Sequence, residues 1–371
     1  MNRRDFLGAS TTAVLGVGTL PHGLVAPWPF LDSEFLPSYQ RRALRILILG
    51  GTGFIGPHQV RYALSRGHVV TLFNRGRTNT HLFPEVEKLV GDRNGDLEAL
   101  KGRQWDVVLD NSGFEPHIVR DSARLLSGAV RQYLFVSTQS VYASRAIIDQ
   151  DETGAVGREG VPEDQWDGYG PLKALCEREV QSAFPGRSTI VRPPVIVGPG
   201  DASDRFTYWV DRIDRGGEVL APGSPDDPTQ FIDVRDLTHW MIRCLENTVT
   251  GVYNATGPLA PLGMGGMLYG IRAVTTSEVS FTWVDATFLR EHEVRPFSDM
   301  PLWQPPVGRT AGFFRMNASR AQAQGLTYRP LADTAADTLE WWRSESSDRR
   351  REMLAGLPAA RESEVLASWH L

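Results

Sequence analysis

Tyr169 and Lys173 stand four residues apart where a helical pattern opens, Tyr169-Gly-Pro-Leu-Lys173 running on into Ala174 to Ala183. That spacing puts both side chains on one helix face. An ammonium beside a phenol favours the phenolate, which lowers the tyrosine pKa toward the range of a proton-transferring catalyst. Some thirty residues earlier, Ser137-Thr138-Gln139-Ser140-Val141-Tyr142 sets hydroxyl groups at the end of an apolar run. A Tyr and a Lys at this spacing are common on helix surfaces, so the pair acquires meaning only from what precedes it.

What precedes it is Leu44-Arg-Ile-Leu-Ile-Leu-Gly50-Gly-Thr-Gly53-Phe54-Ile55-Gly56. Ile46 to Leu49 read as a parallel strand buried on both faces. Gly50, Gly53 and Gly56 follow directly, then a helical face with Val60, Ala63 and Leu64. Strand, glycine turn and helix in this order form the context of a dinucleotide-binding fingerprint. Gly50 permits the turn, Gly53 lets backbone approach a pyrophosphate, and Gly56 lets helix pack on strand. Amides at the helix N-terminus then face the phosphates.

The elements that must position these groups follow in order. Gly67 stops the first helix and His68 to Phe73 read as a second strand. After it comes Asn74-Arg75-Gly76-Arg77, where an enzyme selective for NAD carries a carboxylate for the ribose hydroxyls. Arg75 instead suits a 2′-phosphate, so the reading is NADP, with NAD as the alternative. Val86 to Val90, Trp105 to Leu109 and Gln132 to Val136 read as three more strands, with a helix from His117 to Leu126 before the last. Asp92 stands where an acid accepts from an adenine amino group, and equally where a turn is capped. Alternation at this spacing implies right-handed crossovers and a parallel sheet covered on both faces, an α/β doubly wound (Rossmann) fold. The chemistry belongs beyond the C-terminal ends of its strands.

Composition narrows the function class. The chain has 371 residues, 41% hydrophobic and 22% charged, with net charge -5. Acidic and basic residues are mixed, which speaks against a nucleic-acid surface. Both cysteines, Cys176 and Cys244, fall in helical patterns, so neither a disulfide framework nor a cysteine metal site is expected, and no metal is assigned. At the N-terminus, Arg3-Arg4-Asp-Phe6-Leu7 precedes a run without charged side chains as far as Leu31. That resembles a twin-arginine export signal, which predicts a periplasmic or secreted protein, or a cytoplasmic one should the signal not function. Pro21 and several glycines argue against a stable membrane span in this run.

Taken together, four motifs in order resemble the extended short-chain dehydrogenase/reductases, the NAD-dependent epimerase/dehydratase family. They are the glycine stretch, Val136 to Tyr142, Tyr169 to Lys173, and Val191-Arg192-Pro193-Pro-Val-Ile-Val-Gly198-Pro199-Gly200. Gln230 to Asp236 and Gly251 to Gly257 match later segments. The resemblance implies that Thr138 holds the substrate oxygen, Tyr169 is the general acid/base, and Lys173 binds the nicotinamide ribose. It implies that Gly50, Gly53, Phe54 and Ile55 line the pyrophosphate and that Pro193 approaches the nicotinamide. A homodimer is common in that family. Two departures stand out: Asn74-Arg75 replaces the usual acid, and Asp110-Asn-Ser-Gly113 ends the fourth strand. The second-strand arginines and Gly91-Asp-Arg93 also resemble an atypical branch that includes chloroplast stem-loop RNA-binding proteins.

These readings divide the chain into 1–42 as signal and linker, 43–190 as the NAD(P)-binding domain, and 191–371 as a smaller α+β substrate lobe returning strands to the main sheet. Trp209, Trp240, Trp283 and Trp303 are candidates for a sugar-stacking site, with core packing the commoner role for any one of them. Gln230 and Arg235 are candidates for substrate contacts. Met316 to Leu326 and Leu331 to Trp342 read as closing amphipathic elements. The expected activity is reversible hydride transfer on a sugar, nucleotide sugar or similar carbinol. An NADPH-dependent carbonyl reductase is the second reading, and a non-catalytic nucleotide-sensing or RNA-binding protein the third.

Overall fold

Apolar β-branched and leucine-rich runs form the spine, as their pattern requires. The computed structural model describes residues 42–371; the arginine pair at Arg3 and Arg4 and the run after it lie outside them. β1 (Arg45–Leu49), β2 (Val69–Asn74), β3 (Glu87–Val90), β4 (Val107–Asp110), β5 (Gln132–Val136) and β6 (Ser188–Arg192) pair in parallel. The chain then leaves the sheet through β7 (Val195–Val197), β8 (Gly217–Pro222) and β9 (Pro228–Asp233). It returns as β10 (Gly251–Asn254), which pairs parallel with β6 and completes the order 10-6-5-4-1-2-3.

Helices α1 (Ile55–Ser65) and α2 (Pro116–Leu126) make the early crossovers, α3 (Tyr169–Ala183) the next. α4 (Thr207–Asp214) lies in the later part of the chain, and α5 (Val234–Glu246) precedes β10. One face of the sheet packs on α1 and α5, whose Leu237, Trp240, Met241 and Leu245 are fully buried. The other packs on α2 and α3 through Leu126, Cys176 and Val180. Each such large apolar side chain contributes about 1.5–3 kcal/mol on full burial. Both cysteines are buried and free.

β11 (Gly257–Gly263), β9 and β7 form a three-stranded sheet, and β12 (Val279–Val284) pairs with β8. These carry a third core, which holds Trp209 and Trp303 at 0% exposure. Here the two readings of the tryptophans are decided in favour of core packing. Trp209 donates to the Pro301 carbonyl at 2.6 Å, Trp240 to that of Gln324 at 3.0 Å, and Trp303 to Asp227 at 2.7 Å. All three are core residues with their indole N–H satisfied, and Trp283 packs half-buried against the cluster that holds Trp209 and Trp303. Met316 to Leu326 is helical only over Ser319–Ala323, whereas Leu331–Ser344 is one helix. No helix of the described residues is long and apolar enough to cross a membrane.

Candidate active site

The C-terminal ends of β1 to β6 line a cleft made of two cavities. The first, about 410 Å³, is bounded by Gly50, Gly53, Asn74, Arg75, Asp92 and Arg93. The second, about 380 Å³, takes in Phe54, Ile55, Thr138, Tyr169, Lys173 and Pro193. Phe114 borders both, so they adjoin. Every residue given a catalytic or cofactor-binding role from sequence, except Gly56, lines one of them. Gly56 acts from behind: a Cβ there would sit 2.4 Å from the backbone of Gly51, so only glycine lets α1 close onto the turn. Nothing lies within 4 Å of where a Gly53 Cβ would point. That open cradle at a helix N-terminus fits a dinucleotide pyrophosphate.

The end of the cleft at β2 and β3 carries no carboxylate from β2, as the sequence requires. Asn74 donates to the Gly50 carbonyl at 3.1 Å and accepts from the Gly76 amide at 2.8 Å, which ties β2 to the glycine turn. No carboxylate stands there, while Arg75 and Arg77 line the cavity. Asp92 caps its own turn by accepting from the Asn94 amide at 3.0 Å, and it also borders the cavity. Behind it, Arg93 grips Asp110 through both guanidinium nitrogens, at 2.6 and 2.9 Å, and Tyr133 donates to the same carboxylate at 2.6 Å. Asp110 is fully buried. This pair explains the unusual end of the fourth strand: Asp110 is the counter-ion that the buried arginine after β3 requires.

At the other end, α3 brings Tyr169 to Thr138. A Cβ on Gly170 would meet the Ser140 carbonyl oxygen at 2.0 Å, so the missing side chain sets how closely the helix start approaches the strand end. The Thr138 hydroxyl is the hydrogen-bond partner that favours ionisation of the Tyr169 phenol, and the Arg205 guanidinium pulls the same way. Desolvation outweighs both and holds the phenol above its ordinary value.

Lys173 is corrected in one respect. It shares the cavity with Tyr169, but it is 2% exposed and donates to the carbonyls of Gly113 at 2.7 Å and Val136 at 2.6 Å. Its ammonium lies 4.0 Å from the Phe135 ring centroid. One helical turn carries it inward beneath the strand ends, where its ammonium meets these two carbonyls. Burial lowers its own pKa to about 8.

Sequence reasoning passed over the supports of this site. Ser137 donates to Glu177 at 2.5 Å, and Arg192 clamps the same carboxylate at 3.0 and 2.6 Å. Arg192 also reaches the Tyr142 hydroxyl, which donates to Asn254 on β10 at 2.7 Å. The one signal for this buried network was polar residues inside strand and helix patterns. Gln230 donates to the Met316 carbonyl, in a third cavity of about 540 Å³ between β9, β11 and residues 314–322. Arg235 is held by Asp233 and Asp337, so it braces α5 rather than meeting substrate.

Asp201, on the loop after β7, also lines the Tyr169 cavity, 2% exposed, and accepts from the Ser203 amide and hydroxyl at 2.8 and 3.0 Å. Burial raises its pKa from 3.8 to about 6. The folded protein therefore holds this proton more tightly than the unfolded chain, and the stabilisation is lost as pH rises through about 6. Asp201→Asn keeps an acceptor without the charge. It is expected to be more stable than wild type by about 1–3 kcal/mol at neutral pH, the two converging below pH 3.8, in urea unfolding at both pH values.

Comparison with known proteins accords with this geometry. The model of the NAD dependent epimerase/dehydratase family matches residues 46–256. The chain is 26% identical over 236 residues to the chloroplast stem-loop binding protein of 41 kDa b from Arabidopsis thaliana, covering 57% of this chain and 58% of the relative. It is 28% identical over 225 residues to a 2-alkyl-3-oxoalkanoate reductase from Stenotrophomonas maltophilia, covering 53% and 64%. The match thus spans less than two thirds of either relative's length. Among solved structures, UDP-glucuronic acid 4-epimerase from Bacillus cereus in complex with NAD superposes with a TM-score of 0.57 at 16% identity, over 82% of this chain and 99% of that one. Similarity at that level is one of fold.

Proposed function

The chain belongs to the NAD dependent epimerase/dehydratase family, and from that premise we propose an NAD(P)-dependent enzyme of epimerase or dehydratase type acting on a sugar or nucleotide sugar. The observation that carries this is the Tyr169 phenol beside the Thr138 hydroxyl, in a cavity that adjoins the glycine-lined one at Phe114. Gly50, Gly53, Gly56, Asn74, Arg75 and Asp92 would hold the adenosine and pyrophosphate of the dinucleotide. Phe54, Ile55, Tyr169, Lys173 and Pro193 would hold its nicotinamide end. When bound, the dinucleotide supplies the hydride acceptor and donor.

The protein's own groups do the rest. Thr138 orients the substrate oxygen, and Tyr169 takes its proton and returns it. Lys173 spends two of its three N–H groups on the Gly113 and Val136 carbonyls, leaving the third for a ribose hydroxyl. Arg75 and Arg77, with no carboxylate at the end of β2, support NADP over NAD. Arg75→Ala is expected to weaken NADPH binding by about tenfold and leave NADH binding unchanged, read by fluorescence titration.

Export through a twin-arginine signal at Arg3-Arg4 is part of the proposal, since a protein folded around its cofactor suits that route. Outside the cytoplasm, reduced cofactor is not resupplied, which favours chemistry that takes a hydride and returns it. The deciding experiment is mass spectrometry and absorbance of the cofactor released from purified, denatured protein. Tightly held NAD(P) supports redox-neutral chemistry. An empty site that binds NADPH reversibly points to a carbonyl reductase, the reading that Arg75 also favours. Failure to bind either nucleotide overturns both.

A further inference from the structure

Arg205 lies on the loop between β7 and α4, half-buried, and lines the cavity of Tyr169 and Thr138. Its guanidinium carbon stands 5.0 Å from the Phe297 ring centroid, which holds the flat group against one wall. Its charge reaches both the Tyr169 phenol and Asp201. Other buried or half-buried arginines have their donors matched: Arg93, Arg192 and Arg212 grip a carboxylate at 2.6 Å and Arg235 at 2.7 Å, while Arg187, Arg243 and Arg315 donate to backbone carbonyls. Among the described residues Arg205 forms no such pair: Asp204, its neighbour in sequence, is held by Arg349 and the Leu354 amide, and Asp201 accepts from Ser203 with both oxygens. A guanidinium partly withdrawn from water with its forked donors unmatched is a poor structural element and a good receptor for a carboxylate.

We propose that Arg205 holds a carboxylate of the substrate next to the carbinol on which Tyr169 acts, so that the substrate is a sugar acid or related hydroxy acid. The inference rests on the dehydrogenase-type reading above and deepens it. The anion would be paired bidentately, fixing the reacting carbon against Tyr169 and Thr138. A neutral sugar would leave the arginine desolvated and unpaired, so it would be rejected.

The test uses full-length protein loaded with its nicotinamide cofactor and two probe pairs. UDP-glucuronic acid and UDP-glucose differ only at C6, and so do free glucuronate and glucose. Calorimetric titration is expected to show the acid bound about tenfold or more tightly than its neutral partner in at least one pair. Arg205→Met should bring that ratio near one, Arg205→Lys should restore part of it, and cofactor affinity should report an intact fold in both. A wild type without preference for the acid, including one that binds neither probe, overturns the proposal. So does Arg205→Met weakening UDP-glucose and UDP-glucuronic acid equally, which would assign the arginine to the diphosphate. Loss of cofactor binding in wild type would instead sink the dehydrogenase-type reading itself.

Discussion

Tyr169→Phe is expected to lower kcat by about 10²–10⁴-fold while cofactor affinity and melting temperature stay near wild type. The phenol hydroxyl is the part that acts. The ring stands 6.4 Å from Phe114, centroid to centroid, a packing contact that phenylalanine preserves. With more than half of the residue exposed, removing the hydroxyl strands no buried partner except Thr138, which still accepts from the Ser140 amide at 3.1 Å. Because desolvation holds the phenol above its ordinary value, the wild-type oxidation half-reaction should climb with pH toward that ionisation. In the variant the same profile should be flat. Stopped-flow absorbance of the reduced nicotinamide at several pH values checks both points, and an unchanged rate would remove Tyr169 from the chemistry.

The second large effect is expected from Gly170→Ala, a change of one methyl group. With the added carbon 2.0 Å from the Ser140 carbonyl oxygen, a backbone atom that cannot rotate away, the start of α3 must move. Overpacking of this kind costs about 1–3 kcal/mol, which urea unfolding would register. The functional loss should be larger than the stability loss implies. A displacement of about 1 Å between Tyr169 and Thr138 lowers the rate by about 10²-fold. Cofactor binding through Gly50 and Gly53 should survive, which separates mispositioning from unfolding. A variant with full activity would show that the approach of α3 to Ser140 does not set the geometry.

The strands were legible because apolar runs bounded by glycine or polar turns leave few alternatives. Gln132–Val136 begins and ends where its pattern does, and the others shift by a residue or two. The glycine stretch and Tyr169 were legible as cleft residues because their spacing fixes where they stand relative to the strand ends. What escaped depends on the third dimension. Lys173 shares a helix face with Tyr169, yet depth beneath the strand ends, which spacing does not encode, sends its ammonium to two carbonyls instead. The tryptophans stayed open between a sugar site and core packing for a related reason, since an indole offers the same surface to either, and only burial decides. Arg93 and Asp110 lie seventeen residues apart, and nothing local marks them as ion pair partners.

The late arrival of β10 has a consequence for how the chain is made. Until Gly251–Asn254 leaves the ribosome, β6 is an open edge, and its side-chain bond from Thr189 to the Val249 carbonyl cannot form. Nearly sixty residues separate the two strands, a loop that must close before the sheet is sealed. A nascent chain stalled in that interval exposes an unprotected apolar strand, the kind of surface that recruits chaperones or seeds aggregation. Fragments ending before Gly251 should accordingly be insoluble despite holding every motif of the cofactor cleft.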